Sequence, residues 1–276
     1  MSYKFILDSS VIDEKSIDEL KAAGLERACL SGKLSFYVTP PLLKECFHFA
    51  SRGKMPEELK TCIKYLLGFK WQRIFNEISG SEGIYAMELK GKCPSEYLFS
   101  PYAYLREGIQ NLVQGNEIED NGKKEIQQYI ENWEARKDQN RKVLCEIRDM
   151  FGSKCNPSFK EYFNSVFETT AIYKIKKSIN SHDSKEVIIE YWQQHKDRCS
   201  HFNKFVEGEL FVIWNAAVTK QKLDNNSQDD IEHLVYLNDV DGIVSNEKGF
   251  MKESARVLFP DKDYLSLDEF IKLSKN

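Results

Sequence analysis

Hydrophobic and polar residues near the amino end follow the pattern of strands alternating with helices. An apolar run at 4–7 precedes a helical pattern over 16–30, in which Ser16 and Glu19 form a predicted capping box. A second apolar run at 34–38 precedes a helix that starts at Pro40. Strands buried on both faces and joined by helices predict a parallel sheet with crossover helices.

The middle of the chain, from Pro56 to Leu223, has a different pattern, because its apolar residues recur at helical spacing and strand-like runs are scarce. The predicted helices lie at 57–69, 96–113, 124–151, 159–167, 187–192 and 202–217, and glycine-rich loops lie at 80–83 and 115–122.

The alternation resumes at Asp229. The pattern predicts a helix from there, a strand over 243–245, a helix over 247–255, a strand over 256–259 and a final helix that opens at 266–269. Neither end has enough strands for a sheet of its own. We therefore predict one α/β domain, formed by residues 1–53 and 225–276 and interrupted by an all-helical insertion over 54–224.

Composition narrows the class of protein. The chain has 276 residues and a net charge of −4, so a nucleic-acid role must rest on a local basic patch. Seven widely spaced cysteines without a C-x-x-C pair favour reduced thiols over a zinc site or a disulfide framework. The chain opens directly into a strand and has no bilayer-length apolar run, so we expect a cytoplasmic protein with no membrane contact.

Three carboxylates stand at the ends of the predicted sheet elements. Asp8 follows the first strand, Asp230 opens the helix that precedes the strand at 243–245, and Glu247 lies just beyond that strand. Ligands of open α/β sheets bind at the carboxyl ends of the strands. Carboxylates that meet in one cleft repel each other, and oxygen ligands of this kind favour Mg²⁺ or Mn²⁺, which activate water against phosphodiesters.

Several motifs resemble those of the PIN-domain nucleases, in the same order along the chain. The opening motif is L-D-S-S-V-I at 7–12, and Glu45 in TPPLLKECFHFA takes the place of the second acid. The segment D-I-E-H-L-V-Y from Asp230 resembles the helix that carries the third acid, and Glu247 takes the place of the fourth acid after a strand. The end of the chain at 267–271 also resembles the end of the family, and the resemblance covers roughly 3–53 and 225–275.

The resemblance implies a three-layer α/β/α PIN-like core and a metal-dependent endoribonuclease. Asp8, Glu45, Asp230 and Glu247 would then be the catalytic acids, holding one or two Mg²⁺ or Mn²⁺ ions. Single-stranded or structured RNA is the implied substrate, and DNA is a second candidate because related folds cleave DNA flaps. A protein inhibitor or a homo-oligomer is left open as a further partner.

Two departures from the family pattern keep other functions open. Glu247 stands where the family has Asp, and the separation between Glu45 and Asp230 is far larger than in compact members. The alternatives are a non-catalytic PIN-like scaffold that binds RNA or protein, and a structure-specific DNA nuclease. A haloacid-dehalogenase-type phosphatase is excluded because position 10 is Ser, and a phosphate-binding NTPase loop is absent from the sequence.

Four further residues are supporting candidates: Ser10, Ser245, His233 and Asp241. The Ser10 hydroxyl is predicted to bond an active-site carboxylate or to close the turn. His233 fits a packed histidine better than a metal ligand, and Asp241 is either a turn residue or an outer acid. Plain structural roles stay open for Asp8 as a turn cap and for Glu45 as a solvated helix residue.

Two clusters of basic residues lie beside aromatic residues in the predicted insertion. They are Arg136, Lys137, Arg141, Lys142 and Arg148 with Trp133, and Lys174, Lys176 and Lys177 with Tyr173. Such clusters can follow a nucleic-acid backbone and stack bases. Acidic residues interspersed in the first cluster balance its charge, and an ordinary solvated helix is the favoured interpretation of either cluster taken alone.

Overall fold

The computed structural model describes most of the chain outside the central third. The described residues are 2–51, 61–62, 64–66, 73–78, 83–92, 98–99, 124, 128, 131, 135, 142, 146, 157–178, 184–219 and 227–275. The chain forms two compact units. The first unit comprises Met1–Asn76, Phe99–Glu131 and Asp239–Asn276, and the second comprises Glu77–Leu98 and Asn132–Asn238.

The first unit contains a five-stranded sheet in which all neighbouring strands are parallel. Its strands are β1 (Tyr3–Leu7), β2 (Leu34–Val38), β3 (Arg73–Ile74), β4 (Gly242–Val244) and β5 (Asp263–Leu265), in the order β3-β2-β1-β4-β5. The prediction of an α/β fold with a parallel sheet built from both ends of the chain is confirmed. Strand β3 lies within the stretch that the pattern assigns to helices, because two residues are too few to reveal strand periodicity.

The order of the strands creates a switch point between β1 and β4. From β1 the chain adds β2 and then β3 on one side, and it returns to place β4 and β5 on the other side. Leu7 pairs with Val244, so the carboxyl ends of β1 and β4 lie side by side. In open α/β sheets, the crevice at such a point is where ligands bind.

Ten helices can be bounded in the described residues. They are α1 (Glu14–Ala22), α2 (Leu25–Leu30), α3 (Pro40–Ser51), α4 (Ile84–Leu89), α5 (Phe159–Ser178), α6 (Lys185–Gln194), α7 (Ser200–Thr219), α8 (Ser227–Val235), α9 (Phe250–Leu258) and α10 (Leu267–Lys275). Three-residue 3₁₀ turns at Ser9–Val11, Lys196–Arg198 and Tyr236–Asn238 complete this inventory.

The predicted helix over 16–30 was wrong in its start and its continuity. Gly24 has a φ of 78° and separates α1 from α2, because a left-handed residue interrupts a right-handed helix. The cap of α1 is Asp13, whose carboxylate accepts hydrogen bonds from the Ser16 N–H at 2.9 Å and from the Ser16 hydroxyl at 2.5 Å. Ser16 therefore lies inside the first turn instead of capping it.

The predicted strand over 256–259 was also wrong. Residues Met251, Ala255 and Leu258 are buried at helical spacing, and α9 continues through Leu258. The strand is β5, and its three residues have an exposed or half-buried pattern that does not stand out in the sequence. The final helix is confirmed, with Ser266 and Glu269 bonded as a capping box.

One face of the sheet packs on a hydrophobic cluster shared by strands and helices of the first unit. Its members include Phe5, Leu7, Phe36, Val38 and Val244 from the strands, with Ile17, Leu20, Leu25, Leu267 and Phe270 from α1, α2 and α10. The Phe5 and Phe270 rings meet edge to face at 5.1 Å. Ile6 and Ile243 alternate with these residues and are 0% exposed, so the centre of the sheet is buried on both faces.

The second unit is helical in its described part. Helices α5, α6 and α7 confirm the helices predicted over 159–167, 187–192 and 202–217. Helix α7 packs against α4, α5 and α8. Helix α8 was predicted to belong to the α/β domain, but it falls in the second unit. Gly208 lets α8 approach α7, since a Cβ there would lie 2.3 Å from Ile231 Cγ2.

The other predicted helices fall largely on residues that the structure does not describe. Of the helix predicted at 96–113 only residues 98–99 are described, and there the prediction was wrong, because Phe99 forms an antiparallel bridge with Phe75. The loop at 115–122 lies outside the described residues. The described residues within 57–69 and 124–151 are helical. No helix in the described part of the chain is long and apolar enough to cross a membrane.

Candidate functional site

Asp8 lies at the switch point of the sheet, one residue beyond β1. Its backbone N–H donates to the Val244 carbonyl at 3.0 Å, which continues the pairing of β1 with β4. The chain then turns through the 3₁₀ turn at Ser9–Val11. The side chain is 5% exposed, so this carboxylate is nearly buried at the end of two central strands.

The two oxygens of the Asp8 carboxylate have different environments. Oδ2 accepts hydrogen bonds from the Ser10 N–H at 3.2 Å, the Ser10 hydroxyl at 2.5 Å and the Ser245 hydroxyl at 2.9 Å. Among the described residues, none donates to Oδ1, and that oxygen is not fully buried. Asp8 therefore has one oxygen held by the protein and one available to a cation or to water.

The two serine hydroxyls connect Asp8 to the loop after β4. The Ser10 hydroxyl oxygen accepts the Asn246 N–H at 3.0 Å, and the Ser245 hydroxyl oxygen accepts the Glu247 N–H at 3.1 Å. A hydroxyl has one proton to donate and two lone pairs to accept. Each serine therefore donates to Asp8 and accepts from the loop, which fixes the loop backbone relative to the end of β1.

Two more contacts hold the loop on its other side. The Glu247 carbonyl accepts the Tyr264 hydroxyl at 3.0 Å, and the Asn246 side-chain oxygen accepts the Leu267 N–H at the start of α10. The Glu247 residue itself is exposed. Sequence reasoning missed Asn246 and Tyr264, because Tyr264 lies on the strand that the pattern misplaced.

The supporting residues Ser10, Ser245 and Asp241 have distinct positions. Ser10 and Ser245 both bond Asp8, as predicted for Ser10. Asp241 instead lies at the amino end of β4, where its carboxylate accepts the Lys4 N–H at 2.8 Å. Four residues of extended chain, about 13 Å, separate Asp241 from Ser245. Of the two roles predicted for Asp241, the structure supports the turn residue, and it does not bring Asp241 to Asp8.

The remaining predicted acids are divided between the two units. Glu45 is half-buried on α3 in the first unit, the unit that holds Asp8 and Glu247. Asp230 is half-buried on α8 in the second unit, so its convergence with Asp8 stays a prediction. His233, also on α8, is 4% exposed, which agrees with a packed histidine.

A four-acid metal centre also stays a prediction. Within the described ranges, no group of three or more His, Cys, Asp or Glu side chains is close enough together to hold a metal ion. At the switch point itself the available ligand atoms are oxygens, and the Asp8 carboxylate presents one of them. Such a donor set suits Mg²⁺ or Mn²⁺ better than softer metals.

The basic cluster around Tyr173 is only partly available to a ligand. Lys174 bonds Glu209 at 2.5 Å and is half-buried, while Lys177 lies over the Tyr173 ring at 5.9 Å. Of the other cluster, only Lys142 is described, and it is helical and exposed. The structure therefore removes Lys174 from the set of residues that could follow a nucleic-acid backbone.

The second unit contains a buried Glu88–His201 contact that the sequence did not reveal. The Glu88 carboxylate contacts His201 Nδ1 at 2.8 Å, and the two side chains are 0% and 3% exposed. It also accepts the His201 N–H at 3.2 Å and the Phe202 N–H at 2.9 Å, so it caps α7 from the neighbouring helix α4. No motif joins residues 113 positions apart, so only the fold identifies this pair.

Comparisons of the chain with protein-family models, with curated proteins and with solved structures find no match.

Proposed function

We propose that the first unit is a PIN-like, metal-dependent endoribonuclease whose active site is the crevice between the carboxyl ends of β1 and β4. One observation carries the proposal. A nearly buried carboxylate, Asp8, stands at the switch point with Oδ2 held by Ser10 and Ser245 and with Oδ1 open. Ligand crevices of α/β sheets lie at this position, and an oriented carboxylate there suits metal-assisted hydrolysis.

The residues of the crevice have separate tasks in this proposal. Ser10 and Ser245 hold the Asp8 carboxylate in one orientation, so that Oδ1 points away from the bonds that fix Oδ2. The Glu247 N–H donates to Ser245 and its carbonyl accepts from Tyr264, so the backbone of this exposed residue is held in the loop after β4. Asp8 and Glu247, with Glu45 and Asp230, would hold the Mg²⁺ or Mn²⁺.

When bound, such an ion polarises a phosphodiester and lowers the pKa of a water for in-line attack. The sequence resemblance is the basis for RNA as the substrate and for DNA as a second candidate. The sequence and its composition are the basis for the cytoplasm as the location. The all-parallel sheet, whose strands come from both ends of the chain, supports the proposal of a PIN-like core.

The test is metal-dependent cleavage of labelled RNA by the purified chain. Single-stranded and hairpin RNA are incubated with Mg²⁺ or Mn²⁺ and, separately, with EDTA. Asp8→Asn keeps the shape of the side chain but removes a negative ligand, so cleavage should fall by orders of magnitude, about 10²-fold or more. Asp241→Asn is the matched control, because it removes a carboxylate from the other end of the same sheet and should leave cleavage unchanged.

Glu247 provides a second, graded test. Its side chain is one methylene longer than the acid expected at that place, so Glu247→Gln should reduce cleavage less than Asp8→Asn does. Glu247→Asp should match or exceed the wild-type rate. Equal rates for wild type and Asp8→Asn would instead indicate a contaminating nuclease.

A non-catalytic scaffold is the second candidate, and the exposed Glu247 in place of Asp is the observation that favours it. A scaffold would cut neither RNA nor DNA with any divalent ion, and it would bind RNA equally well after Asp8→Asn. Cleavage of branched DNA but not of RNA, with the same dependence on Asp8, would support a structure-specific DNA nuclease.

A further inference from the structure

A pocket lies in the first unit beside the edge strand β3, separate from the β1–β4 crevice. It has a volume of about 390 Å³ and is lined by Cys29, Leu30, Ser35, Tyr37 and Arg73. Strand β3 is only two residues long and pairs with Tyr37 and Val38, so it covers only the carboxyl end of β2. The pocket therefore lies against the part of β2 that β3 does not reach, and its size falls within the range of small-ligand sites, about 300–1,000 Å³.

Arg73, the charged residue of the described lining, lies against a stack of aromatic rings. The Arg73 guanidinium lies 4.9 Å from the centre of the Phe99 ring. Phe99 stacks on Tyr37 at 6.1 Å and on Phe75 at 5.6 Å, and the Phe75 ring is 1% exposed. A guanidinium whose face lies over an aromatic ring keeps the N–H donors at its own edge free for an acceptor.

The lining of the pocket suits an anion. Arg73 is exposed, and among the described residues no carboxylate pairs with it. The other polar side chains among the described lining residues are the hydroxyls of Ser35 and Tyr37, and none of these described residues is acidic. Within the described lining, an arginine beside two hydroxyl groups and without an opposing charge favours a phosphate or a carboxylate, which the planar guanidinium binds through two parallel hydrogen bonds.

The pocket also has an apolar side. Leu30 is 71% exposed, and it lines the pocket together with the buried Cys29. An inorganic anion would leave this apolar surface and most of the volume unused. The combination therefore fits a phosphate joined to a larger group with an apolar face.

We propose that this pocket binds a nucleotide, with the phosphate on Arg73 and the base or ribose against Leu30. The choice of a nucleotide among phosphate-bearing ligands rests on the proposed nuclease function. Tyr37 pairs with Ile6, two residues before Asp8, and β3 lies two strand spacings, roughly 10 Å, from β1. An RNA strand that enters the β1–β4 crevice or a free mononucleotide can supply the same chemistry.

Binding is measured with EDTA present and in the Asp8→Asn background, so that cleavage plays no part. The probes are adenosine monophosphate, adenosine and inorganic phosphate in calorimetry, and a fluorescein-labelled oligoribonucleotide in anisotropy. Adenosine monophosphate should bind more tightly than adenosine or phosphate. Arg73→Gln should weaken its binding at least tenfold, and Arg73→Lys should recover only part of the loss, because lysine lacks the planar fork.

Two further variants make the result specific to the pocket. Leu30→Glu places a negative charge at its rim, on an exposed position that tolerates polar residues, and should also weaken binding of adenosine monophosphate at least tenfold. Arg256→Gln is the matched control, because it removes an exposed arginine of α9 in the same unit. It should leave the affinity for both probes unchanged.

The two ligand sources give different results. If Arg73→Gln and Leu30→Glu also weaken binding of the oligoribonucleotide, the pocket contacts the RNA strand. If the two variants weaken binding of adenosine monophosphate alone, the ligand is the free nucleotide. Equal affinities of the wild type, Arg73→Gln and Leu30→Glu for both probes would overturn the inference, as would the absence of adenosine monophosphate binding together with unchanged RNA binding. Metal-dependent cleavage that persists in such a case would leave the proposed function intact.

Discussion

Replacing Glu88 by glutamine measures how strongly a single buried carboxylate holds the second unit together. Its two oxygens receive separate hydrogen bonds from consecutive residues of α7. One oxygen accepts the His201 N–H and faces His201 Nδ1, and the other accepts the Phe202 N–H. These N–H groups belong to the first turn of α7, where no partner exists within the helix itself.

Glutamine keeps the shape of the side chain but has only one acceptor oxygen. In either orientation of the amide, its NH₂ group faces a backbone N–H of α7, so at least one donor loses its partner. A hydrogen bond to a charged group contributes about 1.5–3 kcal/mol, and a charge at a partly buried helix terminus up to about 2 kcal/mol. We expect Glu88→Gln to lower the free energy of unfolding by about 2–4 kcal/mol, a large part of the 5–15 kcal/mol typical of domains.

Urea unfolding followed by circular dichroism and tryptophan fluorescence measures this loss. The indole of Trp192 reports locally, because it is fully buried and its ring meets that of Phe202 at 6.1 Å. Glu168→Gln is the matched control, since that glutamate is 56% exposed and lies 3.7 Å from Lys196, where a pair contributes about 0–1 kcal/mol. Surface substitutions usually change the free energy of unfolding by no more than about 0.5 kcal/mol. A loss smaller than this for Glu88→Gln, or a loss equal to that of the control, would refute the capping role.

Three further changes have expected outcomes that urea unfolding can measure. Gly242→Ala places a Cβ 2.6 Å from a backbone oxygen of β5 and should destabilise by about 1–3 kcal/mol, whereas Gly249→Ala, with no atom within 4 Å, should be nearly neutral. Ser245→Ala removes a hydrogen bond to the nearly buried Asp8 carboxylate and should cost about 1–3 kcal/mol; unchanged stability would contradict that bond. Burial raises the pKa of Glu209 above its ordinary 4.5, despite the lysine beside it, so the folded state binds the proton more tightly than the unfolded state. The stability of the wild type relative to Glu209→Gln should therefore fall as the pH rises above 4.5, and a difference that does not change between pH 4 and pH 8 would contradict the raised pKa.

The sequence alone determined the parallel sheet and the place of Asp8 in it. Apolar runs without alternation indicated strands buried on both faces, and the first of them ended at Asp8. The structure confirms this, because β1 lies in the centre of the sheet and Asp8 at its carboxyl end. Long helices such as α5 and α7 were also predictable, since a 20-residue helix repeats its apolar spacing several times.

Only the tertiary structure decided where the short elements lie and which residues meet. Strands β3 and β5 have two and three residues, too few for any periodicity to emerge, so one was missed and the other misplaced. The bond from Ser245 to Asp8 joins residues 237 positions apart, and the Glu88 cap of α7 joins residues more than 110 apart. Such pairs depend on strand order and helix packing, and the local pattern of a sequence contains no information on either.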